Sequence, residues 1–216
     1  MTLGYIQVKD HPLSIALRDN HQGILNDYIR LLNQFLGPKP NNLITSGEVD
    51  QKESIGKMLY EGNISSVFTR VVPESCSKSE LTATWGTTDY SKMQSDLRFS
   101  RKRLLTPVLE KVIQPYINYI GTVGFNSMKP GTKLTMHYGM ISKYVRFHLG
   151  LLCDPEAKFH VNNYPPRAWE EGKVWAFDDG DAYHGTTHNG TDQRVILLLD
   201  IDRAAFDNLE EETSWC

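Results

Sequence analysis

The sequence predicts a mostly-β fold: a small barrel with helices packed on its outside. Three observations predict it. Between Gly121 and Ile201, short segments rich in Val, Ile, Phe and Tyr recur between turn signals, several alternating apolar with polar residues as half-buried strands do. Upstream, two longer stretches carry apolar residues at the period of amphipathic helices. A length of 216 residues, 40% hydrophobic and 23% charged, suits one domain in which a barrel and a helical layer share a core.

The elements follow in order. Gly4 to Val8 reads as a short strand. Ile24, Leu25, Tyr28, Ile29, Leu32, Phe35 and Leu36 mark a helix from about Asn20 to Leu36, stopped by GPKP at 37–40. Its apolar face is expected to pack on the outside of the barrel. The polar stretch from Pro40 to Ser54 reads as a loop, and SSVFTRVV at 65–72, being β-branched, as a strand. SCSKSELTATWGTTDYSK, at 75–92, is polar and reads as a surface loop; a lid over the barrel mouth is the alternative. Arg98, Arg101, Lys102 and Arg103 read as a solvated helix start, with contact to an acidic substrate as the alternative. A second helix runs from Leu104 to Ile120 with Leu105, Val108, Leu109, Val112, Ile113, Tyr116 and Ile117 on one side, and Pro115 kinks or breaks it. Six barrel strands are then expected: GTVGFNSM, KLTMHY, KYVRFHLGLL, AKFHVNN, KVWAFD and RVILLLDI. The last is apolar enough to be buried on both faces. The tail from Arg203, with Glu210 to Glu212, reads as a short acidic helix.

Composition narrows the function. A net charge of −3 offers no electrostatic case for binding a nucleic-acid polymer or an anionic membrane. No apolar run approaches the length of a membrane span, and MTLGYIQVKDHPLS has no basic segment leading into an apolar core, so no signal peptide is expected. Cys76, Cys153 and Cys216 are too few and too scattered for a disulfide framework or a metal knuckle. A cytoplasmic setting is expected. Oligomeric state is not legible.

The candidate chemistry lies in the barrel segments. His137 and His184 are too far apart for a zinc-finger spacing, and two histidines are too few for a closed structural zinc site. Two imidazoles on separate strands are, however, the fixed part of a non-haem iron(II) site of two histidines and a carboxylate. That carboxylate commonly sits two residues after the first histidine, on the same strand face; here Gly139 stands there. A metal would then have two protein ligands and more open positions. Arg146 and His148, two apart, share a strand face, and Arg194 follows His184 by ten residues. A guanidinium inside a barrel needs an anion, and its planar fork suits a carboxylate. 2-Oxoglutarate, with a carboxylate at each end, fits two arginines and a histidine. For Arg146 a salt bridge to an acidic neighbour is the competing reading. FDDG reads first as a tight turn. His160 reads as structural, and so does His188 unless it touches substrate.

These residues resemble a known family, the aspartyl/asparaginyl β-hydroxylases. The matching elements, in order, are M-x-P-G-T (Met128 to Thr132), H-x-G (His137, Gly139), R-x-H-L-G-L (Arg146 to Leu151), W-E-E-G-K-V (Trp169 to Val174), F-D-D (Phe177 to Asp179), then His184 and Arg194. The family are iron(II)- and 2-oxoglutarate-dependent oxygenases with a double-stranded β-helix, a jelly-roll or cupin-like barrel. The chain is expected to form a single oxygenase domain: residues 1–120, which match nothing in the family, as an N-terminal layer of helices, strands and loops on the barrel, residues 121–202 as the catalytic core that carries the resemblance, and residues 203–216 as a tail. The resemblance implies His137 and His184 as iron ligands, Gly139 at the place left open beside the metal, and Arg146, His148 and Arg194 on 2-oxoglutarate. Met128 would line the cosubstrate pocket, with Asn126 where animal members have serine. His188 stands where the family typically has tryptophan.

The implied reaction hydroxylates an unactivated C–H bond of a small soluble substrate: an amino acid, a peptide side chain or another metabolite. 2-Oxoglutarate and O2 are consumed, and succinate and CO2 released. Two alternatives stay open. A halogenase would bind chloride in the space facing Gly139, and a non-catalytic barrel would bind a metal or small ligand without turnover.

Overall fold

The structure is a computed structural model that describes residues 4–36, 60–61, 64–70, 102–139 and 142–206. The stretch read as a polar loop at 75–92, the GPKP stop and the acidic tail beyond residue 206 lie outside the described residues.

The chain opens with β1 (Tyr5–Ile6), then α1 (Pro12–Asp19) and α2 (His21–Leu36). The sequence reading did not anticipate α1. His11 caps it, Nδ1 accepting from the Leu13 N–H at 3.3 Å, and Pro12 occupies the first turn, where a missing N–H costs nothing. In α2 the buried Ile24, Asp27, Tyr28 and Leu31 fall on one face at helical spacing. Next come β2 (Tyr60–Glu61), β3 (Ile64–Arg70) and a helical turn at 102–105. Lys102, expected at a solvated helix start, is instead 2% exposed.

The second predicted helix is shorter than expected. α3 (Pro107–Ile113) ends before Pro115, which sits in a 3-10 turn over 114–116; the ring at 115 cannot supply the N–H that a continuing helix needs. Its N-cap, Thr106, makes no side-chain cap bond. Asp27 of α2 does that work: its Oδ2 accepts from the Leu109 N–H at 2.9 Å, and its Oδ1 accepts from Arg30 at 2.7 Å. A carboxylate against the first turn of a helix satisfies an orphan N–H and complements the helix dipole, so α2 and α3 are tied at a buried point.

The barrel strands are β4 (Ile120–Met128), β5 (Lys133–His137), β6 (Tyr144–Leu152), β7 (Ala157–Val161), β8 (Arg167–Ala168), β9 (Val174–Phe177), β10 (His184–His188) and β11 (Arg194–Asp202). All six predicted strands are present within a residue or two at their ends; β8 and β10 were not anticipated as strands. They form a six-stranded sheet, β1-β9-β6-β11-β4-β3, and a five-stranded sheet, β2-β5-β10-β7-β8. From β4 onward the chain crosses between the two sheets at almost every step, with antiparallel pairing throughout the strand ladders. That alternation winds a double-stranded β-helix.

Strand alternation then sorts the large sheet into two faces. Val123, Phe125, Val145, Phe147, Leu149, Leu151, Val195, Leu197, Leu199 and Ile201 pack outward against Leu13, Leu17, Ile24, Tyr28, Leu109 and Ile113 of the helices. Trp175, Phe177 and Ile196 face inward, onto Ala157, Phe159 and Val161 of the small sheet. Because β11 has helices on one side and the lumen on the other, it is buried on both faces, as its apolar run implied.

Candidate active site

β10 lies between β5 and β7, with His184 directly opposite His137 and a register shift following in β10. The two rings stand 4.4 Å apart between centroids. Each ring uses Nδ1 in the same way. His137 Nδ1–H donates to the Thr135 carbonyl at 2.8 Å, and His184 Nδ1–H donates to the Ala182 carbonyl at 2.8 Å. These bonds place a proton on each Nδ1 and fix the orientation of each ring. Burial, then the neighbouring His137, lowers His184 to about 3, so its ring is neutral. Two imidazoles at contact distance, both oriented by a carbonyl on Nδ1, are a ligand pair suited to a divalent metal. Among the described residues no group of three or more His, Cys, Asp or Glu is placed to hold a metal.

The position two residues past His137 has a physical reason to be glycine. The Gly139 N–H donates to the Asp179 carbonyl at 2.8 Å, and a Cβ at 139 would stand 2.5 Å from Asp179 Cγ and closer still to its Oδ2 and main-chain O. Asp179 occupies the place that a side chain at 139 would fill. Its Oδ1 lies 3.4 Å from His184 Nε2. FDDG is a turn, as read: Asp178 Oδ1 accepts from the Asp181 N–H at 3.2 Å, its carbonyl accepts from Ala182, and its carboxylate pairs with Arg203. The turn also delivers Asp179 to the histidines, a role that sequence reasoning missed.

Arg146 was expected on the cosubstrate, with a salt bridge as the competing reading. The structure gives the salt bridge. Nε and Nη2 form a bidentate pair with Asp200 at 2.7 and 3.0 Å, and Nη1 bonds Asp179 Oδ1 at 2.6 Å. Two carboxylates within reach satisfy a half-buried guanidinium through three of its five N–H donors. Arg146 thereby holds Asp179 in place. Burial raises the Asp200 carboxyl and Arg146 counters it. Asp200 was detectable in sequence: it is the single charge inside VILLLDI, on the same strand parity as Arg194.

His148 and Arg194 lie further along the lumen. His148 is 5% exposed, and burial, reinforced by Arg146, Arg194 and His184, holds it well below the usual imidazole range, so it is neutral. Its Nδ1 accepts from Trp169 Nε1–H at 3.3 Å, which leaves the proton on Nε2. Phe159 and Phe177 line the wall between the two ends, each in ring contact with both His148 and His184. Arg194 is 2% exposed with its guanidinium carbon 4.6 Å from the Trp169 ring centroid. Neither its Nε nor its Nη1 has a hydrogen-bond partner, and burial pulls it down to about 9. A buried guanidinium left with open donors is costly, and an anionic ligand removes the cost. Met128 is buried and directly opposite Arg194 on β4; Asn126, two residues back, shares its face.

The remaining histidines are structural. His188 Nε2–H donates to the Asp192 carbonyl at 2.7 Å, and its Nδ1 accepts from the Gly190 N–H at 3.3 Å, closing the β10–β11 turn. Asp154 completes that turn by accepting from Thr191 and Asp192 at 2.8 and 2.9 Å. His160 Nε2 meets Thr187 Oγ1 at 2.9 Å.

Two sheets wound by one alternating chain, with paired imidazoles and a buried arginine facing the space between them, define a double-stranded β-helix protein of the two-histidine kind. The chain belongs to the aspartyl/asparaginyl β-hydroxylase family, whose sequence model matches residues 65–204. It is 32% identical over 87 residues to human aspartate β-hydroxylase domain-containing protein 2, a match covering 39% of this chain and 23% of that protein. To mouse aspartyl/asparaginyl β-hydroxylase it is 35% identical over 82 residues, covering 38% of this chain and 11% of the relative. The chain thus spans about a quarter or less of the length of these relatives. Among solved structures, a cupin-like protein from Thermotoga maritima aligns over 73% of this chain and 81% of its own, at 9% identity and a TM-score of 0.38.

Proposed function

We propose that this protein is an Fe(II)- and 2-oxoglutarate-dependent hydroxylase of unactivated C–H bonds. The observation that carries the reading is Arg194: a buried guanidinium with unpartnered Nε and Nη1, in the same lumen as the paired Nε2 atoms of His137 and His184. A metal-binding pair and an anion-binding cation on the inward faces of one barrel would suit a cosubstrate that is both a chelator and a carboxylate. His137 and His184 would hold the iron. Arg194 would take the distal carboxylate of 2-oxoglutarate, with Met128 and Asn126 beside it on β4 and the Nε2–H of His148 facing the same space. Asp179, clamped by Arg146, brings a carboxylate oxygen 3.4 Å from His184 Nε2.

When bound, iron and 2-oxoglutarate would supply the oxidising chemistry. One atom of O2 ends in the hydroxyl group, the other in succinate, and CO2 leaves. The substrate class is an amino acid, a peptide side chain or another small soluble metabolite, and the names of the relatives favour an aspartate or asparagine unit. Asp179 counts against halogenation, because the space facing Gly139, where chloride was expected, holds a carboxylate. A reducing cytoplasm suits ferrous iron; among the described residues no helix is long and apolar enough to cross a membrane.

The test is anaerobic reconstitution with iron(II) and 2-oxoglutarate. A weak visible charge-transfer band that bleaches on adding O2 is expected, followed by substrate-dependent succinate release with and without chloride. Iron binding without the band would refute the cosubstrate assignment. Absence of iron binding would refute the proposal as a whole.

A further inference from the structure

Trp169 lies on neither a long strand nor the histidine pair, yet it touches both polar groups at the distal end of the lumen. It follows β8, is 2% exposed, and packs edge-on against Phe159 at 5.7 Å and tilted against Trp175 at 5.7 Å. Its Nε1–H donates to His148 Nδ1 at 3.3 Å. Its ring face carries Arg194, 4.6 Å from guanidinium carbon to ring centroid. Neither contact is generic packing. Indole has one donor and no acceptor, so the bond to Nδ1 forces the His148 proton onto Nε2. A guanidinium over an aromatic face is attracted by the ring without using up its N–H donors, which agrees with Nε and Nη1 lacking partners.

We propose that Trp169 is the positioning residue of the anion-binding end: it sets the tautomer of His148 and carries Arg194, so that both present donors before a ligand arrives. The inference rests on the reading of this lumen as a 2-oxoglutarate site only for the identity of the ligand. The tautomer and the cation–π contact belong to the chain itself. Preorganised donors bind an anion with less ordering cost than mobile ones, so the gain falls on affinity for the ligand.

The experiment is long-range 1H–15N correlation NMR on 15N-histidine-labelled, metal-free protein, comparing wild type with Trp169→Phe, which keeps a ring under Arg194 and deletes the donor. Trp175→Phe serves as the packing control, because Trp175 meets the His148 ring at 4.8 Å, near-perpendicular, and makes no hydrogen bond to it among those resolved. Wild type and Trp175→Phe should both show His148 protonated at Nε2 alone, whereas Trp169→Phe should show a mixture of tautomers. Calorimetric titration with 2-oxoglutarate and manganese(II), which does not turn over, should give a Kd about 3–10-fold weaker in Trp169→Phe. In Trp169→Leu, which also removes the ring, it should be weaker again, on the order of 50-fold. An unchanged tautomer in Trp169→Phe, or an unchanged Kd, overturns the inference. If wild type binds no 2-oxoglutarate, the functional proposal fails, and the tautomer comparison still decides the role of Trp169.

Discussion

Replacing Gly139 tests the geometry of the site most directly, because two lines of reasoning predict opposite results. Metal chemistry alone suggests that an acidic residue here would restore a missing ligand and tighten binding. The structure predicts damage. A Cβ at 139 would lie 2.5 Å from Asp179 Cγ and closer to its Oδ2 and main-chain O. The carboxylate could swing away only by leaving Arg146, which it meets at 2.6 Å, and the main-chain oxygen could withdraw only by breaking the 2.8 Å bond from the Gly139 N–H. Overpacking of this kind costs about 1–3 kcal/mol. Loss of a hydrogen bond to a charged group adds about 1.5–3 kcal/mol, reduced here because Asp200 still holds Arg146. A total of roughly 2–4 kcal/mol, at about 2–4 °C per kcal/mol for a chain of this size, lowers the melting temperature by roughly 5–15 °C. The assay is thermal unfolding of metal-free wild type, Gly139→Ala and Gly139→Asp, with metal titration of each. Gly131→Ala separates the causes: at φ +75 it strains the backbone but its Cβ meets nothing within 4 Å, so its loss should be near 1 kcal/mol. If Gly139→Ala melts within about 2 °C of wild type, or Gly139→Asp binds metal more tightly, Asp179 does not fill that space.

Two further predictions concern charge. Arg194→Met should raise the stability of the ligand-free protein by about 1 kcal/mol or more, since it removes a buried cation with unpartnered donors, while weakening 2-oxoglutarate binding roughly hundredfold or more. Denaturant titration and calorimetry on one preparation check both signs, and a variant that is destabilised would mean that the arginine is paired within the chain. Asp154 is held below the usual carboxylate range, first by the Asp192 N–H and then by that of Glu156, so its stabilisation is complete above the unfolded value near 3.9 and is lost as pH falls through the lower folded value. Asp154→Asn should therefore melt below wild type at pH 7, with the gap narrowing below about pH 4; a gap independent of pH would show that the charge is not what closes the β10–β11 turn.

The parts of the fold legible in sequence were those whose burial is apolar. The β4, β6 and β11 segments show their faces because outward positions pack on helices and are filled by Val, Leu, Ile and Phe. β10 stayed hidden for the opposite reason. Its inward residues are His184, Thr186 and His188, so the strand that carries the chemistry has no apolar face to read. α1 was hidden by length: eight residues hold too few turns to show a period, and only the pairing of His11 with Pro12 marked its start.

The site divides along the same line. His137, His148 and Arg194 stand out because polar groups on barrel strands require a partner, whereas His184, on a strand with no apolar face to read, is marked by its place among the family's ordered motifs. Arg146 met the same criterion and still found its partner within the chain. What separates Arg146 from Arg194 is not local sequence but the supply of acid around each. Asp200 is its cross-strand neighbour on β11, and Asp179 arrives from a turn whose path no periodicity encodes. No carboxylate hydrogen-bonds the Nε or Nη1 of Arg194, so the same requirement passes from the chain to a ligand. Neighbouring cations of one lumen thus take different roles, one holding a carboxylate beside the histidine pair and the other left open to receive one.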